Sequence, residues 1–172
     1  MKAIIIYHSE TGFTKKYAQW IAEETGADCL SLSAAKKQHL DQYDTILFGS
    51  FAYAGAIRKL GFFKDILEKW PDKKLILFCT GANPADSPQI QSFFKENLKD
   101  PAFRKVNAFY CPGGLNYEKM PFLSKLMMRA LLKSLRAKKD KTETDQEMIK
   151  MISGSYDISD KKYIEPILAC LK

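Results

Sequence analysis

A short β-branched run, Ala3-Ile4-Ile5-Ile6-Tyr7, breaks off into the polar triplet His8-Ser9-Glu10. A helix-period segment follows at once, with Tyr17, Ala18, Ile21 and Ala22 at three- and four-residue spacing. A strand apolar at every position has to be covered on both faces, which is the situation in the middle of a parallel sheet. Gly26 stops the helix, and the alternation then repeats. A weaker strand lies around Cys29 to Leu32, and another at Thr45-Ile46-Leu47-Phe48 ends in Gly49-Ser50. A helix from about Arg58 to Trp70 is closed by Pro71-Asp72, and a strand follows at Leu75-Ile76-Leu77-Phe78. After the Asn83-Pro84 turn come a helix around Pro88 to Leu98 and a strand at Val106 to Tyr110 that ends in Pro112-Gly113-Gly114. Five such repeats predict an α/β fold in which right-handed crossovers place helices on both faces of a five-stranded parallel sheet.

Beyond Gly114 the rhythm changes. A long helical stretch, Pro121 to Lys138, leads through a polar linker to a second one, Glu143 to Ile152, with no strand expected after it. Ser159-Asp160 offers an N-cap for a last helix to about Leu171, which Pro166 is expected to kink or shorten. At 172 residues the chain reads as a single domain, residues 1–172, with residues 115–158 as a basic helical insertion before the final helix. The net charge of +7 is concentrated there, because residues 115–141 hold eight basic side chains against two acidic ones. The amino-terminal apolar run is too short for a signal-peptide core and no stretch is long enough to cross a bilayer, so a cytoplasmic protein is expected. Cys29, Cys79, Cys111 and Cys170 are scattered, without a C-x-x-C pair or histidines at zinc-ligand spacing; they read as reduced, mostly buried thiols, and no metal is expected.

Ligands of open α/β sheets bind outside the carboxyl ends of the strands, which directs attention to the loops after the first, third and fourth strands. The first, Ser9-Glu10-Thr11-Gly12-Phe13-Thr14, supplies three hydroxyls, a glycine for a tight turn and a helix start whose free N–H groups favour an anion. A plain helix cap has the same residues. Neither G-x-x-x-x-G-K-[ST] nor G-x-G-x-x-G is present, so a terminal monophosphate suits the loop better than a triphosphate or a dinucleotide. The second loop, Gly49-Ser50-Phe51-Ala52-Tyr53-Ala54-Gly55, sets two aromatics between glycines; the rings either stack on a flat heterocycle or pack on neighbouring loops. The third, Thr80-Gly81-Ala82-Asn83-Pro84, offers backbone amides and one side-chain amide to a ring edge.

Together these loops resemble those of the flavodoxin family. Ser9 to Thr14 matches its [ST]-x-T-G-x-T phosphate loop, Gly49-Ser50 through Gly55 is similar to its second flavin-contacting loop, and the likeness covers most of residues 2–111. The resemblance implies a flavodoxin-like three-layer sandwich with strand order 2-1-3-4-5 and FMN as cofactor. The implied cofactor-binding residues are Ser9, Glu10, Thr11, Gly12, Phe13, Thr14, Ser50, Phe51, Ala52, Tyr53, Ala54, Gly55, Thr80, Gly81, Ala82 and Asn83. Phe13 stands where the family often has asparagine. The basic and apolar insertion resembles that of the flavodoxin-type, quinone-dependent protoporphyrinogen oxidases, which implies an oxidoreductase with a quinone acceptor. The alternative is a non-catalytic carrier that exchanges electrons with redox protein partners.

On a helix, Leu123, Leu126, Met127, Ala130 and Leu131 make one apolar stripe, and Lys125, Arg129, Lys133 and Arg136 line another face in which Met128 and Leu132 are embedded. Two readings stand: the stripe packs on the sheet, or residues 119–139 touch an anionic membrane surface peripherally. With few aromatics and no nucleic-acid-binding motif here, nucleic acid is not an expected partner. A response regulator needs an acidic pair after the first strand, and a low-molecular-weight phosphatase needs a cysteine near Gly12; neither is present. His8 and His39 read as loop and surface residues, and no catalytic acid or base stands out.

Overall fold

The computed structural model describes residues 2–172. Strand β1 (Ala3–Tyr7) leads into helix α1 (Phe13–Thr25), which ends at Gly26 in a left-handed C-cap. Next come β2 (Asp28–Ser31), a one-turn helix α2 (Leu32–Ala35) capped by the Ser31 side chain, and β3 (Thr45–Tyr53). The chain continues through β4 (Ala56–Ile57), α3 (Leu60–Lys69), β5 (Lys74–Gly81), α4 (Gln89–Asn97) and β6 (Asn107–Pro112). Sheet order is β2-β1-β3-β5-β6 with all neighbours parallel, and β4 pairs only with β3 as an antiparallel return. With that two-residue return set aside, the five parallel strands stand in the expected order 2-1-3-4-5.

Two apolar layers cover the sheet, and strand alternation assigns residues to them. Ile4, Ile6, Ile46, Phe48, Leu75 and Leu77 face Phe63 and Ile66 of α3. Ile5, Leu47, Ile76 and Phe78 face Tyr17, Ala18 and Ile21 of α1 together with Ile167 and Leu171 of the last helix, α7 (Glu165–Leu171). A short 3-10 turn, Lys161–Ile164, capped by the Asp160 carboxylate, precedes α7 and leaves Pro166 in that helix's first turn, where a missing N–H costs nothing.

Two expectations are corrected. Strand β3 does not end at Gly49-Ser50 but runs to Tyr53, since Ser50 and Phe51 continue the ladder with Cys79 and Thr80 and Ala52 and Tyr53 pair with β4; Gly49 serves the packing instead, as Phe78 of the neighbouring strand fills the space a side chain there would need. The strand then reverses through a two-residue turn at Ala54 (φ 48°) and Gly55 (φ 80°), so the second loop is a hairpin. Asn97 of α4 pins that hairpin, accepting from Ile57 N–H (2.8 Å) and donating to Gly55 C=O (3.0 Å). The insertion, moreover, contains strands. Strand β7 (Gly114–Leu115) pairs with β8 (Tyr156–Asp157), and the pair brackets helices α5 (Phe122–Ala137) and α6 (Glu143–Ile152). The contact depends on Gly114: its φ is 140°, and a Cβ there would stand 2.1 Å from the Tyr156 carbonyl oxygen.

Helix α5 is seated by Met128, Leu132 and Leu135, while Phe122, Leu123, Leu126, Met127 and Leu131 are exposed, so the apolar stripe read from the sequence is not packed on the sheet. Helix α6 begins with a reciprocal capping box between Thr142 and Asp145, and Lys138 at the end of α5 is paired with the same Asp145 at 2.7 Å. Among the described residues no helix is long and apolar enough to cross a membrane.

Candidate functional site

At the carboxyl ends of β1, β3 and β5 the three loops meet around a cavity of about 490 Å³. Glu10, Thr11 and Phe13 reach it from the first loop, Phe51 to Ala54 from the second, and Thr80, Gly81 and Ala82 from the third. Ser9, Gly12, Thr14, Ser50, Gly55 and Asn83 do not line it. Thr14 is buried beneath the floor, where its hydroxyl meets that of Thr80 at 2.8 Å. The Ser50 hydroxyl donates to the Arg58 carbonyl at 2.5 Å and so closes the hairpin. Gly55 and Asn83 open onto a neighbouring cavity of about 320 Å³.

The first loop leaves a cluster of hydrogen-bond donors unpaired at the start of α1. Gly12 (φ 102°) caps α1 with no side-chain hydrogen bond, and among the described residues the N–H groups of Glu10, Thr11, Gly12 and Phe13 find no acceptor. The Ser9 hydroxyl is buried, also without a partner. Orphaned donors of this kind are rare unless something else satisfies them. A sixth donor-capable neighbour, His8, is half-buried rather than on the surface: its ring stacks on Phe51 (centroids 5.2 Å apart, planes at 28°), and Nε2 is buried and unpartnered. Burial lowers the His8 pKa, against the pull of Glu10 and assisted by Lys59 and Arg58.

The third loop is held by its carbonyls. Tyr156 Oη donates to Ala82 C=O (2.8 Å), Tyr110 Oη to Asn83 C=O (2.9 Å), and Gly113 N–H to Gly81 C=O (2.7 Å). Burial raises both phenols, Tyr156 to about 12, so they remain neutral donors near neutral pH. The Asn83 side-chain amide is engaged with Gln89 at 3.3 Å, whereas the Ala82 N–H has no acceptor among the described residues.

A fourth wall was not read from the sequence. Gly113 to Asn116 follow β6, and Met120, Ser124, Met127, Met128 and Leu131 close the cavity from the insertion. Tyr53 joins the two halves: its ring lies 5.3 Å from the Arg58 guanidinium, and its hydroxyl is 3.2 Å from Met127 Sδ and 3.5 Å from Ser124 Oγ. The signal for the first part of this wall was the Pro112-Gly113-Gly114 strand ending, which the strand-end rule applies to equally. For α5 there was none, because only the tertiary fold lays that helix across the strand ends.

Residues 4–145 match the family profile described as "Flavodoxin domain". The chain belongs to the flavodoxin-domain family. This family member is 33% identical over 119 residues to an uncharacterized protein of Methanocaldococcus jannaschii, a match that covers 68% of this chain and 79% of that one. Among solved structures it is similar to a flavodoxin, WrbA-like protein from Agrobacterium tumefaciens (21% identity, 69% and 87% of the two chains, TM-score 0.44). It is similar also to a flavoprotein in complex with FMN from Lactobacillus acidophilus (21% identity, 64% and 91% of the two chains, TM-score 0.42).

Proposed function

We propose that this flavodoxin-family protein binds FMN and works as an oxidoreductase of the quinone-dependent protoporphyrinogen oxidase type. The phosphate is assigned to residues 9–14, whose unpaired N–H groups and orphaned Ser9 hydroxyl suit a monoester anion. The flat ring is assigned to the cavity between residues 50–55 and 80–83, with the free Ala82 N–H available to its polar edge. FMN supplies the electron-transfer chemistry when bound, and the protein supplies position, electrostatics and exclusion of water. Tyr53 and Phe51 offer apolar ring faces, and the two tyrosine hydroxyls hold the third loop in place.

The observation that carries the catalytic reading is the roof. The methionines and Leu131 of the insertion close the cavity with apolar side chains, which suits a hydrophobic substrate or a quinone beside the ring; a carrier serving protein partners needs the ring edge open at a docking face. The purified protein should be yellow, with FMN released on denaturation, and should turn over a porphyrinogen with a menaquinone analogue as acceptor. A yellow protein that is reduced and reoxidised by protein partners but turns over neither compound is instead a carrier. A colourless protein that takes up no FMN on titration would overturn the cofactor assignment.

Residues 119–139 are further proposed to rest on an anionic bilayer. Phe122, Leu123 and Leu126 are exposed on α5, and Lys125, Arg129 and Lys133 line the same helix, the combination expected of an interfacial helix that hands an apolar acceptor to the cavity. Vesicles rich in anionic lipid should retain the protein at low salt, and replacing Lys125, Arg129 and Lys133 by glutamine should release it. Equal retention of the variant would remove the idea.

A further inference from the structure

We infer that Lys119, carried by the insertion, is the cation that closes the phosphate end of the flavin site and makes it selective for the phosphorylated flavin. The inference rests on the FMN reading above and deepens it. The donors of the cradle formed by residues 9–14 are all neutral, namely backbone N–H groups, the Ser9 hydroxyl and the Thr11 hydroxyl, and the one charged side chain of the loop, Glu10, has the same sign as a phosphate. Dipoles of that kind orient a phosphate monoester but leave most of its net charge, between −1.5 and −2 near pH 7, without a counter-charge.

Lys119 stands over this loop. A Cβ built on Gly12, the turn residue of the cradle, would lie 3.9 Å from Lys119 Nζ. The ammonium has no ion pair and no acceptor among the described residues, whereas of the two lysines that follow the cradle Lys16 is already bound to Asp157 (2.9 Å) and Ser159 (2.7 Å), and Lys15 lies close enough to Cys29 to act on its thiol. The backbone of Lys119 is not loose: its N–H donates to Asn116 Oδ1 at 3.0 Å in an Asx-type turn, directly after the β7–β8 pairing that anchors the insertion. The chain has therefore placed an uncommitted cation, on an ordered turn, within one side-chain contact of an anion cradle that has none of its own. Because the side chain is exposed, its attraction to a phosphate is partly screened and must depend on salt.

The test compares two ligands that differ only in the phosphate. Apoprotein is titrated with FMN and with riboflavin by flavin fluorescence, using the wild type, Lys119→Gln and Lys119→Arg, at low and high salt. The wild type should bind FMN more tightly than riboflavin. Lys119→Gln should weaken FMN about tenfold, the scale of one charge-assisted contact, leave riboflavin within about twofold, and flatten the salt dependence of FMN binding. Lys119→Arg should keep most of the FMN affinity. Unchanged FMN binding in Lys119→Gln, or an equal loss for both flavins, would overturn the assignment while leaving the FMN reading intact. A wild type that binds neither flavin would overturn both.

Discussion

His8 shows how a single residue couples the fold to pH. Its ring is stacked on Phe51 with Nε2 buried, and burial holds its folded pKa below the usual 6.5. Between the unfolded and the lower folded value, the unfolded chain binds a proton that the native one refuses. Stability is therefore lost as pH falls through about 6.5 towards the folded pKa, and levels off below it. The melting temperature of the wild type should drop on acidification from pH 7 to pH 5, and His8→Gln should flatten that drop; an identical slope in the variant would place the titration elsewhere. Gly114 is decisive for a different reason, since Gly114→Ala combines a left-handed φ with a Cβ 2.1 Å from the Tyr156 carbonyl oxygen. That substitution should cost at least about 1–3 kcal/mol in urea unfolding. Neither role was legible in the residues alone. The Pro112-Gly113-Gly114 run marked a strand end, and nothing in it disclosed that Tyr156 would lie across the third glycine.

Helix α5 illustrates what periodicity leaves open. Its amphipathic pattern was plain, and so were its limits, since the observed Phe122–Ala137 lies within the expected Pro121 to Lys138. Which face packs was not, because the helix carries apolar residues on two arcs. The broader one, Leu123, Leu126, Met127, Ala130 and Leu131, faces outwards or over the cavity mouth, while the arc bearing Met128, Leu132 and Leu135 is the seat. Leu135 is 6% exposed and Leu126 52%, which separates the two arcs experimentally. Leu135→Ala should cost about 2–5 kcal/mol by opening a cavity, and Leu126→Ala should change stability by no more than about 0.5 kcal/mol. Chemical unfolding of the two variants would decide it, and the reverse ranking would mean that the helix is seated by the other stripe. Helices α1 and α6 posed no such problem, because each has one apolar arc and a clear stop or cap.

Across the whole molecule, the parallel sheet and its two covering layers separate the thiols into two kinds. Cys79 and Cys111 are fully buried in the sheet, and burial pushes the Cys111 thiol up to about 12 and Cys79 well above its ordinary value. Cys29 and Cys170 lie partly exposed in the outer shell. In native protein at pH 8 a thiol reagent should modify no more than two cysteines, identified by mass as Cys29 and Cys170, and all four after denaturation. Reaction at Cys79 or Cys111 without unfolding would show that the sheet opens there. By itself the sequence determined the alternation of strands and helices and the loops at the carboxyl edge of the sheet, because strand burial, helix caps and turn residues are local properties read within a few positions; the order in which the sheet is wound came from the resemblance of those loops to the flavodoxin family. Only the tertiary structure decided that β3 continues past Gly49, that β7 and β8 tie the insertion down, and that α5 roofs the site with Lys119 above Gly12. Those outcomes depend on contacts between residues 29 to 107 positions apart, from Gly49 against Phe78 to Gly12 against Lys119, whose geometry no local pattern encodes.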